Sequence, residues 1–247
     1  MGSPDPAAHD AVASECGVCK GIGWLEASDG RRLVRCRCRE QAVIQQRRAG
    51  SGIPERYRNY SIATFQVHPA NESQKQARGF ARRFVELYPA VSAGILIRGA
   101  VGRGKTHLAV AILNELLDTK AVQGVFCDFG ELVDRIQASF ARGADESADE
   151  VLALYRNAEL LVLDELGARR PSDFVRDVLY GLINSRYNRR RITIVTTNYG
   201  DEAEKTGETL EQRVGPQVRS RLAEMCQVLT LSGEDFRLER RAGRAFK

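Results

Sequence analysis

Short apolar runs alternate with longer stretches of helical spacing along most of the chain. The runs fall at 94–98, 125–129, 160–163, 192–196 and 228–231, each four or five residues long and mostly apolar. Runs of that length without polar alternation read as buried strands. Before the first of them, 71–88 carries apolar residues at helical spacing, with Asn71 or Ser73 as a cap and Pro89 closing it. Further helices are expected at 106–118 and 177–188, and an amphipathic one over 208–222 that is interrupted at Gly215-Pro216. Strands separated by helices predict an α/β fold: a parallel five-stranded sheet, helices on both faces, and ligands at the carboxyl ends of the strands. No internal repeat or low-complexity tract is present.

The amino-terminal part follows a different pattern. Residues 1–15 are rich in Pro, Ala and Asp and read as a disordered tail. Residues 16–48 hold four cysteines, glycine turns and a basic run in which Arg31, Arg32, Arg35, Arg37, Arg39, Arg47 and Arg48 face only Glu40. Ala49-Gly50-Ser51-Gly52 reads as a hinge, giving a tail at 1–15, a small module at 16–48, a linker at 49–60 and a large domain at 61–247.

Composition narrows the class. With 43% hydrophobic and 28% charged residues among 247, the chain is neither disordered nor fibrous. No stretch approaches the roughly 18 consecutive apolar residues of a membrane helix, and the start lacks the order of a signal peptide. A cytoplasmic protein with no membrane partner is expected. The net charge of +5 suits a polyanionic partner, and only six of the 37 basic residues are lysine.

Chemistry enters with the first strand. Gly99-Ala100-Val101-Gly102-Arg103-Gly104-Lys105-Thr106 fits G-x-x-x-x-G-K-[ST] between a strand and a helix. Glycines let successive backbone N–H groups face phosphate oxygens, and the helix start adds its positive dipole end. Lys105 is expected on the β- and γ-phosphates of ATP and Thr106 on Mg²⁺, with Gly99, Gly102, Arg103, Gly104 and His107 completing the nucleotide contacts. The 160–163 strand ends in Asp164-Glu165. Asp164 is expected to share the Mg²⁺, and Glu165 to polarise the attacking water. If the 192–196 strand inserts between these two, Asn198 can orient the same water. His9, His68 and His107 have no metal-ligand spacing.

The cysteines form a second constellation. Cys16-x-x-Cys19 and Cys36-x-Cys38 give two close pairs whose four thiolates suit tetrahedral Zn²⁺, while redox-active or bridged cysteines remain the alternative. Cys127 and Cys226 stand alone in apolar surroundings, and Trp24 reads as part of a small core.

Together with Leu163-Asp164-Glu165-Leu166-Gly167, the helix ending Ile183-Asn184-Ser185-Arg186-Tyr187, Thr196-Thr197-Asn198 and Arg219-Ser220-Arg221-Leu222, the phosphate loop resembles those of the AAA+ ATPases. Within them it resembles the DnaC/DnaI-type loaders of the bacterial replicative helicase and the related IstB transposition ATPases. The resemblance covers roughly 53–237. It implies an ATP hydrolase without a helical lid, preceded by a zinc-binding module that grips a DnaB-type helicase hexamer. It makes Arg221 an arginine finger acting on an adjacent copy, hence an ATP-dependent homo-oligomer, and gives Arg237 a sensor role. It also implies single-stranded DNA as a ligand, for which Arg169, Arg170, Ser172 and Phe174 combine charge, a hydroxyl and an aromatic ring. A solvated helix face for Arg221, a solvated loop for 169–174, and DNA contact by 31–39 stay open at this point. So do a transposase partner on duplex DNA and a non-hydrolysing nucleotide-dependent adaptor.

Overall fold

The structure is a computed structural model that describes residues 16–27, 30–143, 145–203 and 207–238; the expected tail at 1–15 lies outside the described residues. It divides into two compact units, 1–50 and 51–247.

In the smaller unit, β1 (Trp24–Glu26) pairs antiparallel with β2 (Leu33–Arg35), and α1 (Arg37–Gly50) follows. None of the α1 residues is buried, and among the described hydrophobic residues of this unit only Cys19 and Cys36 are. A segment with so little apolar burial needs another source of stability, such as a metal, to fold. Helix α1 also explains why 37–50 carried no helical signal in the sequence: it has no apolar stripe facing a core.

In the larger unit the sheet runs β4 (Gly124–Asp128), β5 (Leu160–Leu166), β6 (Ile192–Thr197), β3 (Gly94–Arg98), β7 (Cys226–Thr230), with every neighbouring pair parallel. The 192–197 strand therefore does insert between the phosphate-loop strand and the Asp164 strand. Successive side chains leave opposite faces of a strand. Ile95, Ile97, Leu160 and Val162 join one core with α2 (Glu72–Leu87) and α3 (Lys105–Thr119). Leu96, Leu161 and Leu163 join the other with α4 (Phe129–Ala138), α5 (Ala148–Asn157) and α6 (Asp173–Asn188).

Caps start the helices where the sequence offered them. The Asn71 side chain accepts the Gln74 amide at 3.1 Å, and Thr209 forms a reciprocal capping box with Gln212 at α7 (Leu210–Val214). Gly215, at φ +87°, breaks the chain before α8 (Pro216–Met225), which starts on proline at its first turn. After β7 the described residues end in helical backbone at 236–238.

Residues 51–60, expected as linker, belong to the larger unit. The Phe126 amide donates to Ser51 O at 2.7 Å, covering the outer edge of β4. The Asn114 amide donates to the carbonyls of Tyr57, Arg58 and Tyr60, fixing a turn at Glu55–Tyr57 beside α3.

Candidate functional site

A cavity of about 520 Å³ opens at the carboxyl end of the sheet. The phosphate loop forms its floor. Gly102 and Gly104 adopt φ +79° and +88°, a left-handed region costly for side-chain-bearing residues. Gly99 has a second constraint, because a Cβ there would lie 2.2 Å from Leu231 O, where the chain leaves β7.

Lys105 is buried at the start of α3, and its ammonium donates to Ala100 O at 2.8 Å. Burial lowers its pKa to about 8, against the opposing pull of Asp164. Arg103 lines the same cavity with Nη1 buried and without a hydrogen-bond partner. An orphaned guanidinium donor above a curled glycine loop fits a phosphate oxygen.

Asp164 is buried at the end of β5, where desolvation raises its pKa against the hydrogen bonds of Thr196 and Thr106. Thr106 Oγ1 donates to both carboxylate oxygens, at 3.0 and 3.1 Å. A hydroxyl and a carboxylate in contact beside a phosphate loop are a fitting donor pair for Mg²⁺. Glu165, by contrast, is exposed to the cavity at φ +56°, with its amide on Thr196 Oγ1 at 3.0 Å. Asn198 lines the cavity with Glu165, and so does Arg237. The chain closes over the loop there: the Phe236 amide donates to Gly102 O at 3.1 Å, and the Asp235 carboxyl occupies the space where a Cβ on Gly102 would lie.

His107 stacks on Tyr60, with ring centroids 4.1 Å apart, and its ring nitrogen meets Thr64 Oγ1 and Ser61 O at 3.2 and 3.3 Å. Burial lowers its pKa. Tyr57, Tyr60 and Phe65, which the sequence reading did not single out, build this wall. Three aromatics within nine residues, at 57, 60 and 65, were the available signal.

Arg221 does not line the cavity of its own chain. Its guanidinium lies 4.9 Å over Tyr180 and 5.7 Å over Tyr187, both on α6. The four residues expected on DNA divide. Arg169 pairs with Asp134 at 2.6 Å and Ser172 caps α6, so both also serve the fold. Arg170 is exposed, and Phe174 meets Phe140 edge-on at 6.2 Å. Phe140 is 68% exposed, an unusual position for a large aromatic, and the sequence reading missed it.

In the smaller unit the sulfurs of Cys16, Cys19, Cys36 and Cys38 lie within 4.8 Å of one another. Cys16–Cys36 is 3.8 Å and Cys19–Cys38 is 3.4 Å. A tetrahedral Zn²⁺ with bonds of about 2.3 Å sets its sulfurs about 3.8 Å apart. All four are free thiols. The amides of Cys19 and Val18 lower the Cys16 pKa to about 6, and the Gly23 amide donates to Cys19 Sγ at 3.2 Å. Such N–H···S bonds favour thiolate ligands. Trp24 is only half-buried, with Arg39 stacked 4.8 Å from its ring.

With this geometry in place, residues 73–243 match the family described as IstB-like ATP binding protein. The chain belongs to that family. It is 27% identical over 199 residues to the replicative helicase loader DnaC of Escherichia coli strain K12, covering 80% of this chain and 79% of DnaC. It is 25% identical over 249 residues to the phage-like element PBSX protein XkdC of Bacillus subtilis strain 168, covering 96% and 89%. A crystal structure of the DnaC helicase loader superposes with TM-score 0.63 at 35% identity, over 72% of this chain and all of that one. The family expected from the motifs is thus the family found. The chain is an AAA+ ATPase with a DnaC-like fold.

Proposed function

We propose that this chain is an ATP-dependent loader that places the bacterial replicative helicase, a DnaB-type hexamer, on single-stranded DNA at the initiation of replication in the cytoplasm. The observation that carries this reading is similarity to a helicase loader over four-fifths of both chains. The four-cysteine unit would hold Zn²⁺ and dock the helicase, an assignment supported by the sulfur spacing and by its separation from the ATPase unit.

Each group of the site then has a task. The amides around Gly102 and Gly104, with Arg103 and Lys105, bind the triphosphate of ATP. Thr106 and Asp164 would hold Mg²⁺, which when bound neutralises charge on the β- and γ-phosphates. Glu165 takes the proton of the attacking water, and Asn198 orients that water. Arg237 meets the nucleotide from the segment that follows β7. Arg221, absent from the wall of its own cavity, acts on the ATP of an adjacent copy in an ATP-dependent homo-oligomer. An arginine in that role is worth about 10³ to 10⁵ in rate, or roughly 4 to 7 kcal/mol of barrier. Phe140 and Phe174 offer rings on which bases stack, with Arg169, Arg170 and Ser172 along the backbone.

The test is reconstitution with the hexameric helicase. A complex that forms with ATP, and a helicase ring transferred to circular single-stranded DNA only when loader and ATP are present, are the expected results. The family match itself favours a second reading, an IstB-like assistant of a transposase on duplex DNA. Association with a transposase and none with the helicase would establish that one instead.

A further inference from the structure

One side chain holds the loop that leaves Glu165. Arg213, buried on α7, donates through Nε to Gly167 O at 2.7 Å and through Nη2 to Ala168 O and Arg169 O at 3.0 and 3.1 Å. Its remaining nitrogen, Nη1, reaches Glu208 at 2.9 Å. Three successive carbonyls of one loop are therefore gathered by one rigid, planar set of donors, a geometry that lysine cannot reproduce.

The clamp touches both sides of the water-activating pair. The guanidinium lies 4.9 Å over the ring of Tyr199, the residue after Asn198. Gly167 is pressed between them, since a Cβ there would lie 3.1 Å from Tyr199 and 3.2 Å from Arg213. At the near end of the loop, Glu165 sits at φ +56° and its carbonyl accepts the Ala168 amide at 3.0 Å. A non-glycine residue in that conformation persists only where its surroundings hold it. At the far end lie Arg169, paired with Asp134 at 2.6 Å, and the exposed Arg170, four residues before the half-buried Phe174 that meets the exposed Phe140 edge-on.

We propose that Arg213 is a positioning residue that couples occupancy of the surface at Phe140, Phe174 and Arg170 by single-stranded DNA to the placement of Glu165 and Asn198. A strand that shifts 169–170 moves the carbonyls that Arg213 holds, and through them both Glu165 and the Tyr199 ring beside Asn198. This inference rests on the ATPase and single-strand reading above and supplies the link between the two.

The experiment measures ATP hydrolysis by the full-length chain with and without a dT oligonucleotide of about 25 nucleotides. The parent chain is expected to show a ratio of the two rates clearly different from 1. In Arg213→Lys and Arg213→Gln that ratio should collapse to within about 1.5-fold of unity, while KM for ATP stays within about twofold, because the nucleotide contacts are untouched. Glu208→Gln, at a surface position, loosens one end of the clamp and should move the ratio part of the way. It carries the test if the Arg213 variants do not fold. A clamp that serves only the fold would lower both rates in proportion and leave the ratio at the parent value. That result in any folded variant overturns the coupling while leaving the ATPase and DNA reading in place. A parent ratio of 1 would remove the single-strand reading and the coupling with it.

Discussion

The Thr196 hydroxyl donates to Asp164 Oδ1 at 2.5 Å. Thr196 Oγ1 in turn accepts the Glu165 amide at 3.0 Å, so one β6 side chain orients two successive acidic residues of β5. Both contacts depend on β6 lying next to β5, although 32 residues separate Thr196 from Asp164. Thr196→Val keeps the shape and removes the hydroxyl. Leaving a buried carboxylate short of a donor costs about 1 to 3 kcal/mol. The expected result is a fall in kcat of about tenfold or more, with binding of a fluorescent ATP analogue nearly unchanged, since the phosphate loop is not altered.

Arg186 is fully buried, and its hydrogen bonds go to neutral groups. It donates to Thr193 Oγ1, to the carbonyls of Tyr155 and Ala158, both at 2.8 Å, and to Ile192 O at 2.6 Å. Burial lowers its pKa to about 9. The side chain ties the end of α5 to the start of β6, so its loss strands three carbonyls. Arg186→Met should lower stability by about 3 kcal/mol or more. Arg186→Lys should rescue little of it, because an ammonium cannot span the same carbonyls. Urea unfolding with an unchanged m-value checks this; a shift below about 1 kcal/mol would refute it.

Asp201 joins the phosphate-loop strand to the α8 helix. It accepts from Arg98 Nη1 at 2.6 Å and from Arg219 Nε at 2.8 Å, and these arginines, Arg219 foremost, lower its pKa. A carboxyl depressed in the folded state stabilises above its unfolded value, near 3.9, and that contribution disappears as pH falls through the lower folded value. The side chain is 48% exposed, so its contribution at pH 7 is at most about 1 kcal/mol. Asp201→Asn should melt a few degrees lower at pH 7, and the gap should narrow as pH falls below the unfolded value near 3.9.

The four-cysteine unit makes a separate prediction. The purified chain should carry one Zn²⁺, and a strong chelator should make residues 16–50 susceptible to protease while KM for ATP is retained. With almost no apolar burial among the described residues of the unit, a bound metal would supply most of its folding free energy. Cys36→Ser should reproduce the chelated state. Protease resistance that survives complete metal removal would exclude this role for zinc.

The sequence determined the elements whose signals are local. The strands at 94–98 and 192–197, the capped helix after Asn71, the Gly215-Pro216 break and the phosphate loop are all readable there, because apolar run length, capping side chains and glycine spacing act within a few residues. It also named Asp164, Glu165 and Asn198, since polar residues at the ends of buried strands stand out against their surroundings. The tertiary structure decided what depends on neighbours distant in sequence. Helix α1 has no apolar stripe to announce it, and Tyr57, Tyr60 and Phe65 become a cavity wall only because Asn114 and Glu115 of α3 hold their turn. Phe140 is recognisable only from its exposure and its contact with Phe174. The strand order, the Thr196 bridge and the Arg213 clamp follow the same rule: parallel strands and buried polar networks join residues that lie far apart along the chain, and those pairings exist only once the sheet is assembled.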